Sequence, residues 1–203
     1  MLIFNIDMKK LIEKLKKLLK GSSGFTLIEL LVVIGILGVL AAALVATIDP
    51  FEQLKKADDA KIKNISVEFQ TSLVRYYTTH GSFPWNDTAS LSNSTCTDLA
   101  GAGIAGLKLS SAGLLKCLDN ADGGSLISEG ELKASFVSNL NDLAKVYVTW
   151  SAGDPTNTIV CFSPTSKSQK AAPDTKWTVD GVPPTVTCPD VNADVNTCFW
   201  CTK

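Results

Sequence analysis

Histidine is nearly missing: His80 is the only one in 203 residues. Catalysis by a His/Ser or His/Cys pair would rest on that one side chain. It lies in His80-Gly81-Ser82-Phe83-Pro84, where a glycine and a proline are expected to stop a helix, so a surface or capping place suits it better. The chain also lacks a phosphate-binding glycine loop, a serine-hydrolase elbow, a metal-binding histidine pair and a dinucleotide fingerprint, so the residues give no footing for an enzyme. Basic charge is not in excess where a nucleic-acid binder would need it. Residues 1–24 hold six lysines against Asp7 and Glu13, a balance of +4 in a chain of net charge -1, which leaves the remainder acidic at -5.

Charge is scarcest between Phe25 and Ile48, where Glu29 is the single charged residue in 24. At about 1.5 Å per residue, a helix of that length crosses a hydrocarbon core of about 30 Å. The lysines ahead of it (Lys9, Lys10, Lys14, Lys16, Lys17 and Lys20) favour a cytoplasmic N-terminus and place everything after the span outside. Residues 8–20, with Leu11, Leu15, Leu18 and Leu19 at helical spacing, read as a basic amphipathic helix able to lie on an anionic leaflet. Translation could start at Met1 or at Met8. Cleavage of an ordinary signal peptide after the small residues near Ala41–Ala46 is the competing reading of this segment.

Asp49-Pro50 breaks the run, because proline has no amide donor and disfavours helix in the residue before it. Beyond it Phe51, Leu54, Ile62, Ile65, Phe69, Leu73 and Tyr76 recur at three and four, with Asp58 in the one missing apolar step. This predicts an amphipathic helix to about Thr79, with Asp59 and Lys63 paired on its wet face. Residues 86–130, rich in Ser, Gly, Asn and Thr with short apolar runs such as Ile104–Leu109 and Leu114–Leu118, read as a long loop region with one or two small helices. Another short helix is expected over Glu131–Leu143. Four strands are expected at Lys145–Trp150, Thr158–Ser163, Lys176–Val179 and Thr197–Thr202, separated by turns such as Gly153-Asp154-Pro155 and Asp180-Gly181. The fold class is α+β: a long kinked N-terminal helix, transmembrane in its first half and amphipathic in its second, packed on a small antiparallel sheet.

The six cysteines, Cys96, Cys117, Cys161, Cys188, Cys198 and Cys201, all lie beyond the span, on the side expected to be oxidising. Zinc is the rival reading, but no second close pair accompanies Cys198 and Cys201. In a strand, residues three apart are about 10 Å from each other and on opposite faces, so these two should not pair with one another. Of the 15 pairings that six cysteines allow, we favour Cys96 with Cys117, Cys188 with Cys198 and Cys161 with Cys201.

The segment Gly24-Phe25-Thr26-Leu27-Ile28-Glu29-Leu30-Leu31-Val32-Val33, preceded by lysines, resembles the processing site of type IV prepilins and of the related pseudopilins of secretion and DNA-uptake machines. The likeness covers roughly residues 20–50. It implies that a membrane-embedded prepilin peptidase cuts after Gly24 and methylates the new amine of Phe25. It also implies that Glu29 meets the amine of a neighbouring subunit during assembly. Independently, a carboxylate inside an apolar run needs a partner or a proton. Gly35 and Gly38 allow close helix contacts within the span.

On this reading residues 1–24 are a cytoplasmic leader that is removed. Residues 25–48 are the transmembrane and fibre-core helix, 49–80 the amphipathic helix, and 81–203 a pilin-like head. Its partners are the peptidase, other pilins and further copies of the chain, an inner-membrane assembly platform and membrane lipid. The helix exit Tyr76-Tyr77-Thr78-Thr79-His80-Gly81-Ser82-Phe83-Pro84 resembles that of major pseudopilins, whereas the loop region and six cysteines exceed a minimal pseudopilin head. A pilus subunit and a pseudopilin therefore both stand, with a membrane-anchored binding protein or enzyme as a third, weaker reading. Some pseudopilins hold calcium in a C-terminal loop, which directs attention to the alternating oxygens of Asp190, Asn192, Asp194 and Asn196, although the EF-hand pattern fails at Val195.

Overall fold

The computed structural model describes Glu13 and residues 24–47, 49–86, 96, 104–120, 124–151, 154–183, 188–192, 194 and 196–202. The amphipathic leader helix expected over 8–20 lies outside the described residues, Glu13 excepted, as does most of the loop between Asn86 and Ile104. The chain divides into two compact units at the Asp49/Pro50 boundary.

In the first unit, α1 spans Leu27–Thr47, and all of its described side chains are exposed. In the second, α2 spans Pro50–His80. The break expected at Asp49-Pro50 is present, since Asp49 lies outside both helices and Pro50 takes the first position of α2, where a missing amide donor costs nothing. At the other end Gly81 takes a left-handed φ of 72°, and its amide donates to the Tyr77 carbonyl at 2.8 Å, which closes the helix.

The buried face of α2 runs Asp59, Ile62, Ser66, Phe69, Leu73 and Tyr76, a strict alternation of three and four. The expected stripe is thus correct from Ile62 onward and wrong before it. Phe51 and Leu54 are exposed, and the inward position in their part of the helix belongs to Asp59. Asp58 instead lies on the rim, where it accepts from the Lys145 ammonium at 2.6 Å.

The sheet packed on this face has the order β1-β2-β3-β4, antiparallel throughout. Its strands are β1 (Ile104–Lys108), β2 (Val146–Ser151), β3 (Asp154–Phe162) and β4 (Trp200–Cys201). With Val148 opposite Val160 and Val146 opposite Phe162, alternate residues point one way. Val146, Val148, Trp150, Val160, Phe162 and Trp200 join Ile62, Phe69, Leu73 and Tyr76 in the main core. The opposite face carries a smaller cluster of Ile159, Cys161, Phe199 and Cys201, covered by Trp177 and Val179. The turn that brings Val179 there passes so close to the sheet that a Cβ on Gly181, φ 67°, would meet Ile159 at 2.6 Å. Among the described residues of the head are three short helices, α3 (Ala112–Leu118), α4 (Leu140–Leu143) and α5 (Lys167–Lys170), with a 3-10 turn at Ala134–Ser138.

Several expectations need correction. Ile104–Lys108, assigned to the loop region, is an edge strand. Lys176–Val179 forms only a single bridge, Trp177 to Phe199, and the last strand shrinks to two residues. The 131–143 helix is split into the 3-10 turn and α4.

The Asp59/Lys63 pair does not form. Asp59 is 2% exposed, and its carboxylate accepts from the Thr165 amide (2.9 Å) and hydroxyl (2.9 Å) and from the Ser166 amide (2.8 Å) and hydroxyl (2.6 Å). About two helical turns further toward the N-terminus, Glu52 accepts from the Lys167 amide at 2.6 Å. Two carboxylates on α2 therefore hold the loop that opens α5, and Lys63 turns instead to Asp174 at 3.4 Å.

Three disulfides tie the head: Cys96–Cys117, Cys161–Cys201 and Cys188–Cys198, with Cα separations of 5.1, 4.1 and 5.9 Å. These are the pairs favoured from the sequence. Cys161 and Cys201 face each other across β3 and β4.

Asp59→Asn should lower the unfolding free energy of the full chain in detergent micelles by about 2–3 kcal/mol, because a buried acceptor loses charge and half its oxygens. Asp58→Asn, which breaks only a rim pair, should cost less than about 1 kcal/mol. Urea titrations followed by tryptophan fluorescence would check the difference.

Candidate functional site

The residues singled out at the N-terminus lie together at the start of α1. Gly24 and Phe25 precede the helix, outside any regular element, and both are exposed, Phe25 at 81%. A Cβ placed on Gly24 would meet nothing within 4 Å. The peptide bond between them therefore lies in exposed, irregular backbone.

Thr26 and Glu29 cap the helix reciprocally. The Glu29 carboxylate accepts from the Thr26 amide at 2.9 Å and from its hydroxyl at 2.7 Å, while the Glu29 amide donates back to the Thr26 hydroxyl oxygen at 3.3 Å. This is the Thr-x-x-Glu capping box, and it satisfies donors that the first turn of any helix leaves without partners. Capping is a role for Glu29 beyond the amine pairing and the lone charge in an apolar run expected from the sequence. The spacing of Thr26 and Glu29, three residues apart before a hydrophobic stretch, was the signal available for this second role.

Downstream, Leu27–Val45 is long and apolar enough to cross a membrane by length and composition. Leu27, Ile28, Leu30, Leu31, Val39 and Val45 are each more than half exposed in their own unit. Gly35 and Gly38 leave open space where a side chain would stand, so the backbone there is accessible to a close neighbour.

Two of the four candidate calcium residues spend a side-chain oxygen on a hydrogen bond within the head. Asp190 Oδ1 accepts from the Asn192 amide at 2.9 Å, and Asn196 Oδ1 accepts from the Tyr147 hydroxyl at 3.1 Å. Among the described residues, no group of three or more His, Cys, Asp or Glu is placed to hold a metal ion. His80 lies at the end of α2 with its ring stacked on Tyr76 at 4.0 Å and its Nδ1 3.2 Å from the Tyr76 carbonyl.

No curated protein and no solved structure matches the chain. A family model does: the prokaryotic N-terminal methylation motif matches residues 19–45, which include Gly24, Phe25, the capping box and most of α1. With that motif at the head of an exposed apolar helix, and an α+β unit following it, the chain carries the prepilin-type signature of type IV pilins and pseudopilins.

Proposed function

We propose that this chain is a structural subunit of a type IV pilus-like fibre, cut by a prepilin peptidase between Gly24 and Phe25, N-methylated on Phe25 and assembled through α1. The observation that carries this reading is the methylation motif on residues 19–45, coinciding with a helix whose apolar surface its own unit leaves uncovered. On this reading the subunit waits in the membrane with its leader inside and its head outside. Transfer of α1 from lipid to the fibre core gains little from hydrophobicity, because lipid tails are as apolar as leucine. Close packing at Gly35 and Gly38 and a charge pairing must therefore contribute.

Glu29 supplies the charge. Cleavage frees the amine of Phe25, one residue before Thr26, and the carboxylate that caps α1 is then one of the few anions within reach of a cationic N-terminus. The pairing with a neighbour's amine exchanges one set of donors for another, so the carboxylate is satisfied in the waiting and the assembled states. The head has no assigned catalytic role in this account. Its size and three cystines favour a surface fibre, while the aromatic helix exit favours a pseudopilus of a secretion or DNA-uptake machine. Long fibres seen by electron microscopy and lost on deletion of the gene would decide for the pilus.

Mass spectrometry of assembled material should find an N-terminus at Phe25 bearing one methyl group. An intact leader, or an N-terminus after the alanines at 41–46, would contradict the reading. Gly24→Leu should leave uncut precursor in the membrane and no fibre, read by immunoblot of membrane and sheared fractions. Glu29→Ala and Glu29→Leu should insert and be cut normally, yet yield under about a tenth of the wild-type fibre, consistent with loss of one low-dielectric charge pair. Wild-type yield in either would remove the amine-pairing role.

A further inference from the structure

The edge of the sheet beyond β4 is only half covered. Thr202 donates its amide to the Val160 carbonyl at 2.9 Å, so residues 202 and 200 turn their main-chain groups toward β3. Phe199 and Cys201 must turn theirs outward. Phe199 finds a partner there, exchanging hydrogen bonds with Trp177 at 3.1 and 2.8 Å. The residue that would continue this pairing to Cys201 is Thr175, but its amide is already given to the Ala172 carbonyl at 2.9 Å and the chain has turned away. The Cys201 amide and carbonyl are left without a partner among the described residues, at the wall of a groove of about 760 Å³.

The groove runs between that open edge and α2, with Val67, Gln70, Trp177 and Trp200 on its walls. Val67 is 45% exposed although it is an apolar residue beside two tryptophans. Gln70 donates through Nε2 to the Thr158 carbonyl at 3.1 Å, and its Oε1 has no donor. At the rim Asp174 is committed to Lys63 and to the Trp200 indole N–H (2.8 Å), whereas the Lys176 ammonium lies over the Trp177 ring and meets no carboxylate among the described residues. An occupant must therefore offer a main-chain donor and acceptor to Cys201, an apolar side chain to Val67 and Trp177, and an anion to Lys176.

We propose that this groove takes an extended, acidic and apolar segment of another protein, added to the β4 edge as a further strand. Among the described residues a second copy of this chain offers no free apolar strand at Val182 or Val191, which lie in turns closed by their own hydrogen bonds, Thr178 amide to Val182 carbonyl and Asn192 amide to Asp190 carboxylate. This inference stands apart from the processing of the N-terminus and would survive its failure.

The test uses the full chain in detergent micelles and three fluorescein-labelled, end-capped heptapeptides: Thr-Thr-Val-Glu-Val-Thr-Thr, its twin with Lys for Glu, and the acidic peptide N-methylated at both valines. Anisotropy should show saturable binding of the acidic peptide and loss of binding on N-methylation, which blocks strand pairing. Lys176→Glu should weaken the acidic peptide about threefold and strengthen the lysine peptide by a similar factor, while Lys176→Gln should abolish the preference. Lys176 is exposed, so neither substitution touches the core. The proposal is overturned by any of four results: no binding of the acidic peptide, equal binding of its N-methylated form, a charge preference unmoved by Lys176→Glu, or displacement of the acidic peptide by chitohexaose, which would assign the groove to a glycan.

Discussion

Burial of one stripe of α2 against β2 and β3 is the constraint on which the head depends. Ile62, Phe69, Leu73 and Tyr76 supply the apolar part, and the sheet answers with alternate residues of two paired strands, so a slip of either partner by one residue would turn the core outward. The polar end of the same stripe sets the position of the helix along the sheet. A buried carboxylate at Asp59 cannot be left without donors, and the four it finds come from Thr165 and Ser166, just past the end of β3. Hydrophobic packing thus fixes which face of α2 is inward, and the Asp59 contacts fix its register.

The same logic is inverted in α1, whose apolar side chains are left exposed. Its own unit offers no cover to an apolar surface of some twenty residues, which only lipid or protein can match. A helix in that setting must satisfy its backbone internally, and its first turn is the weak place, since its amides have no carbonyl to reach. Thr26 and Glu29 fill that gap with side-chain atoms. A residue that could be read as a charge misplaced in a greasy run is also the group that lets the run begin as a helix.

Much of this was legible in the residues because the signals were local and periodic. The three-and-four spacing from Ile62 to Tyr76, the glycine stop at Gly81 and the proline break at Pro50 each act within a few residues of themselves, and the structure has all three. Strand geometry spoke only against joining Cys198 to Cys201, and the favoured partners, local ones for Cys96 and Cys188 and a cross-strand one for Cys161, are the ones present. What was hidden depended on distant partners. Ile104–Lys108, with a glycine at φ 64° and a shifted register, has little intrinsic preference for a strand and becomes one because β2 offers it an edge. Asp59 looked like a wet-face residue because charge is usually outside; its donors are more than a hundred positions away. The two-residue β4 and the single bridge at Trp177 were overestimated because β-branched and aromatic residues there serve the second, smaller cluster rather than a long ladder.

The cystines also bear on how the head would respond to being drawn out by its ends. Cys161–Cys201 closes a span of 40 residues, and Cys188–Cys198 lies inside that span. At about 3.4 Å per extended residue, the part of that stretch not already short-circuited by Cys188–Cys198 would otherwise release roughly 100 Å of slack; with the bond closed, a load on the C-terminal end passes from Cys201 directly to Cys161. The path of tension then runs through one short covalent bridge between neighbouring strands. The polar loop between Cys188 and Cys198 is off that path and can vary in sequence without lengthening it.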